Sequence, residues 1–126
     1  MLRRVRTTAE PLVSSINVVY LYVSDMERSL AFYRNVLGIP LEGDGDWQEA
    51  SLGGTRFALH RTREGVGALS SGTVHVNLEV AGVDAAAERL RAAGVEVGQA
   101  MRDEWGSALE IADPDGYRLY LFQPPR

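Results

Sequence analysis

The 126-residue chain has no cysteine, and all 13 of its basic residues are arginine, so lysine is missing as well. These absences remove thiolate nucleophiles, disulfides, sulfur-ligated zinc and Schiff-base chemistry. No apolar run approaches the roughly 18 residues that cross a bilayer, so no membrane partner is expected. Residues 1–15 carry three arginines but not the apolar stretch of about 7–15 residues found in a secretory signal. They read as a flexible N-terminal tail, with cytoplasmic location as the expectation. Positive charge is not in excess either: the formal net charge is −4 and the isoelectric point about 5.1. Nothing offers a counter-charge to a phosphate backbone, so nucleic acid is a poor partner and a small molecule or a second copy of the chain a better one. Histidine is scarce, with only His60 and His75 available as imidazole bases or ligands.

The remaining composition, 45% hydrophobic and 24% charged, is that of an ordinary folded domain, and the length suits one core. From Ile16 the chain becomes regular. The β-branched and aromatic run INVVYLYV predicts a strand, and SDMERSLAFYRNVLG has helical spacing, with Met26, Leu30, Tyr33 and Leu37 on one face. Ser24 and Glu27 read as a capping box, and Gly38 as the left-handed residue that closes the helix. Short extended pieces follow, IPLEG, WQEASL and TRFALH, separated by turn-prone glycines.

The same order then returns. After a connector over 61–72, TVHVNLEV alternates as a half-buried strand, and AGVDAAAERLRAAG is helical, with Val83, Ala87 and Leu90 on one side. Extended segments near 95–97 and 105–112, the turn Asp113-Pro114-Asp115-Gly116 and the strand YRLYLF complete it. The prediction is an α+β fold of two tandem β-α-β-β-β modules, 16–60 and 73–123, within a single domain over 16–126.

Four segments, VSDMERSLAFYRNVLG, VHVNLEVAGVDAAAERLRAAGVEV, WGS and IADPDGYRLYLF, resemble the vicinal oxygen chelate superfamily, which includes glyoxalases, extradiol dioxygenases and bleomycin-resistance proteins. The resemblance covers about residues 16–123. It implies curled mixed sheets around a cleft, usually completed in a homodimer. In members that use a divalent metal, the ligands come from the first and last strand of each module. Carried onto this chain, those positions are Val18, Ala58, His75 and Tyr120. Valine and alanine offer no lone pair and a neutral tyrosine is a poor ligand, so the expectation is no cofactor. A shifted divalent site built from His60, His75 and Glu79 is the alternative.

The period of two along a strand sorts side chains by face. Position 18 shares its face with Tyr20 and Tyr22, and His75 with Asn77 and Glu79. Position 120 goes with Arg118 and Phe122, and position 58 with Arg56 and His60. The opposite faces are aliphatic, as helix-packed faces should be. The candidate ligand-binding residues are therefore Tyr20, Tyr22, His60, His75, Asn77, Glu79, Trp105, Arg118, Tyr120 and Phe122, with Trp47 and Trp105 flanking the mouth. Aromatic rings with few polar groups suit a planar ligand held by stacking.

Three functions fit this lining. The first is a metal-independent protein that binds a planar or aromatic small molecule. The second is a glyoxalase- or dioxygenase-like enzyme with His75 as acid or base, or with the shifted metal site. The third is a subunit whose fold serves association alone, which the aromatic lining disfavours.

Overall fold

A computed structural model describes residues 16–62 and 76–125. The N-terminal tail, His75 and most of the connector over 61–72 lie outside the described residues.

The chain enters strand β1 (Val18–Val23), then helix α1 (Met26–Leu30), which widens into a π-helical turn over Ala31–Val36. Strands β2 (Glu42–Asp44), β3 (Trp47–Leu52) and β4 (Thr55–Arg61) complete a sheet of order β1-β4-β3-β2. The second half repeats this order with β5 (Val76–Glu79), α2 (Val83–Ala92), β6 (Met101–Asp103), β7 (Gly106–Ala112) and β8 (Arg118–Gln123), giving a sheet β5-β8-β7-β6. In each sheet the first strand runs parallel to the last, and the other pairs are antiparallel. The architecture is α+β, with two mixed four-stranded sheets.

The helix boundaries differ from the sequence reading in one respect. Asp25, not Ser24, caps α1, its side chain accepting from the Arg28 backbone N–H at 3.1 Å. The Ser24 hydroxyl instead donates to the Asp115 carboxylate, in the turn before β8. The π-helical turn ends where the Leu37 N–H reaches the Phe32 carbonyl at 2.9 Å, five residues back. It carries Phe32 and Tyr33 both into the interior. Gly38 (φ 79°) then ends the helix in the left-handed conformation.

One aliphatic core joins the halves. Val23, Leu41, Phe57 and Leu59 from the first pack in the same cluster as Val83, Leu90, Leu109, Ile111, Leu119 and Leu121 from the second. Tyr33 crosses the junction, its hydroxyl donating to Asp113 Oδ2 at 2.6 Å. Asp113 Oδ1 accepts the backbone N–H groups of Asp115 and Tyr117 at 2.9 and 2.8 Å, so one carboxylate fixes both the turn and the contact between halves. Burial raises the Asp113 carboxyl above the usual carboxylate range, against the lowering effect of those bonds. Burial, then the Asp113 charge, pushes the Tyr33 hydroxyl well above the ordinary phenol range. The second faces of the two sheets, turned away from this core, carry the side chains considered next.

Candidate functional site

The parallel pairing of β1 with β4 aligns Val18 with Arg56, Tyr20 with Ala58 and Tyr22 with His60. Across β4, Trp47 stands opposite His60 and Glu49 opposite Ala58. One face therefore gathers Tyr20, Tyr22, Trp47 and His60 in mutual ring contact. Tyr20 lies 5.6 Å from Tyr22 and 5.3 Å from Trp47, centre to centre, and His60 stacks on Tyr22 at 5.4 Å. Trp47 meets His60 edge-on at 5.5 Å. These rings are not core: Tyr20 is 43% exposed and Tyr22 37%. Edge-to-face and offset contacts of this kind are each worth about 0.5–1.5 kcal/mol beyond the area they bury, so the four rings form one continuous aromatic surface.

Polar groups hold its border. Arg56 Nη2 donates to the Asn17 side-chain oxygen at 3.1 Å, and Arg56 Nη1 to Glu49 Oε2 at 2.8 Å. The other oxygen of Glu49 accepts the Trp47 indole N–H at 3.3 Å. The carboxylate thus orients the indole that faces Tyr20. Neither Trp47 nor Glu49 stands in the ten-residue candidate set, although the turn GDGD before Trp47 marks where such a ring would be presented.

The second sheet repeats the frame with different side chains. Asn77 pairs with Tyr120 and Glu79 with Phe122, while Glu110 and Ala108 stand across from Tyr120 and Phe122. Arg118 Nη1 donates to Glu110 Oε1 at 2.9 Å, the counterpart of the Arg56–Glu49 pair. A hollow of about 590 Å³ opens on this face, lined by Ala108, Glu110, Arg118, Tyr120, Met101 and the 96–99 segment. Asn77 and Glu79 line a different hollow, of about 770 Å³, where β5 meets the β3–β4 turn and the end of the first helix. Trp105 sits in the β6–β7 turn, 74% exposed, with its backbone N–H on Asp103 Oδ1. By register, the residue equivalent to Trp47 is Ala108, so the two tryptophans are not counterparts in their modules.

The positions at which the superfamily's metal-using members carry ligands present hydrocarbon at Val18 and at the buried Ala58, and a phenol at Tyr120. With His75 outside the described residues, these three positions offer at most one phenol oxygen, short of the three or four donors a divalent ion needs. His60 is packed among aromatic rings while Glu79 lines the other hollow. Among the described residues, no three His, Cys, Asp or Glu side chains gather in a metal-holding group. Among the same residues, no helix is long and apolar enough to cross a membrane.

Comparison with solved structures returns the same architecture. TnmS3, an antibiotic binding protein from Streptomyces sp. CB03234, is 27% identical, with a TM-score of 0.75 over 92% of this chain and 100% of its own. A fosfomycin resistance protein, FosX, from Listeria monocytogenes (18% identity, TM-score 0.74, 90% of this chain and 96% of its own) shares the fold. So does a lactoylglutathione lyase from Agrobacterium tumefaciens (21%, 0.69, 88% and 94%). No curated protein matches the chain significantly. The family model described as Glyoxalase/Bleomycin resistance protein/Dioxygenase superfamily matches residues 15–121, and the chain belongs to that superfamily.

Proposed function

We propose that this chain is a metal-independent small-molecule-binding protein that takes a planar or aromatic ligand against the ring surface of its first sheet, in a cleft completed by a second copy. The observation that carries this reading is the cluster of Tyr20, Tyr22, Trp47 and His60 in mutual contact on a face turned away from the core. Large aromatic side chains left exposed together on a sheet face lose the burial that would otherwise stabilise them, and a flat ligand restores it. The donor-poor set Val18, Ala58 and Tyr120 favours binding without a metal over metal-assisted chemistry. The likeness to TnmS3, an antibiotic binding protein, points the same way.

The test uses acridine as a flat probe and a Trp105→Phe background, so that Trp47 is the reporting indole. Saturable quenching is expected, and Tyr20→Ala should weaken it about 2- to 13-fold, the equivalent of roughly 0.5–1.5 kcal/mol of ring contact. Affinity unchanged by Tyr20→Ala removes the first-sheet face as the binding surface. Elemental analysis of the same protein showing a stoichiometric divalent metal promotes the enzymatic alternative instead.

A further inference from the structure

The two sheets can be laid on one another residue by residue, and one difference stands out. In the first, Glu49 spends both oxygens, one on Arg56 and one on the Trp47 indole N–H. In the second, Glu110 spends Oε1 on Arg118, and no described residue bonds its Oε2. The reason is the register. Trp47 lies opposite His60, and the equivalent residue opposite Phe122 is Ala108. A methyl group stands where the first sheet has an indole, and Ala108 lines the 590 Å³ hollow together with Glu110, Arg118 and Tyr120.

We propose that this hollow accepts a flat ring bearing an N–H or O–H on its edge, laid over Ala108 with the donor on Glu110 Oε2, as the Trp47 indole N–H is on Glu49 in the first sheet. The proposal rests on the reading that these faces bind planar molecules, and adds the ligand's donor and the residue that receives it. Two features bear on the site. The Arg118 guanidinium pairs with one carboxylate oxygen, on side chains 67% and 43% exposed, and leaves the second oxygen to a ligand. Met101, opposite Ala108 on β6, offers a polarisable thioether beside the ring. A ligand lacking the donor forfeits a bond to a charged acceptor, so discrimination between donor-bearing and donor-less rings is the signature of the site.

The experiment compares indole with N-methylindole, of nearly equal shape but without the donor, by following backbone amide shifts on the whole chain. Indole should move the amides of Ala108, Glu110 and Tyr120 and bind at least tenfold more tightly than N-methylindole. Glu110→Ala keeps the hollow and should bring the two affinities together. Ala108→Trp should supply an indole from within and abolish the response to both. Should that variant fail to fold, the Glu110→Ala comparison decides alone. Equal affinities in the parent chain, or no shift at those three amides, overturn the inference. Acridine quenching of Trp47 in the same sample reports separately on the first-sheet reading, so failure of one is distinguishable from failure of the other.

Discussion

Two tyrosines close to Asp113 have opposite hydrogen-bonding fates, and the difference is measurable. Tyr33 is buried with its hydroxyl on Asp113 Oδ2, whereas the Tyr117 hydroxyl is buried with no partner among the described residues. Tyr33→Phe leaves a buried carboxylate oxygen without its donor, a loss of about 1–3 kcal/mol. Tyr117→Phe removes a polar atom whose desolvation nothing offsets, so it should be neutral or slightly stabilising. Denaturant unfolding of the two variants should separate them clearly, and equal losses would mean that the Tyr33–Asp113 bond does not brace the two halves. At this scale the sequence is only partly legible. Period-two alternation places Tyr20, Tyr22 and His60 on the faces where the ladder puts them. It is silent on Glu49 and Glu110, whose roles follow from diagonal partners on the next strand. Tyr33 reads from the sequence as one more apolar-face residue of a helix, because its hydroxyl finds a partner 80 positions away.

At the scale of elements, order was legible and fine geometry was not. The sixth strand lies at Met101–Asp103 and not at 95–97, where Val97 makes an isolated bridge to Ile111, but the order of the two β-α-β-β-β runs, the glycine end of the first helix and the turn at Asp113–Gly116 all follow from local composition. The cap of α1 does not. Ser24 and Asp25 are both competent caps, and the choice falls to Asp25 because the Ser24 hydroxyl is drawn to Asp115, itself held near by Arg28 at 3.4 Å. The mismatch of Trp47 with Trp105 has a similar origin, since the two hairpins place their tryptophans three residues apart in register. Gly106, next to Trp105, is where this second hairpin is most constrained. Its φ is 136°, and an added Cβ would sit 2.5 Å from the Gln123 carbonyl oxygen as well as against the Phe122 ring. Gly106→Ala should therefore cost about 2 kcal/mol or more in thermal or denaturant unfolding, from backbone strain and overpacking together. A variant as stable as the parent would show that β7 and β8 can separate there without penalty.

For the molecule as a whole, the question is what faces the two surfaces. The aliphatic sides of both sheets are consumed by one shared core. The ring surface of the first sheet and the hollow of the second lie on the opposite sides, and no side-chain bond or ring contact found among the described residues links them within one chain. Under the proposed function each is half of a cleft, and Trp105 adds a large exposed indole in the β6–β7 turn. Solvent contact with this much aromatic surface is unfavourable, and among the described residues β1, β2, β5 and β6 are the edge strands of the two sheets. A closed two-fold dimer that sets the first sheet of one copy against the second sheet of the other answers both demands, and uses each surface once per cleft. Light scattering at micromolar concentration should accordingly give twice the 13.8 kDa of the chain. Tyr22→Glu, which puts a charge on the ring surface without touching the core, should shift the mass toward one copy while leaving the circular dichroism spectrum unchanged. A parent chain that scatters as 13.8 kDa at that concentration would leave the two faces apart, and each would then have to bind its ligand as an open surface.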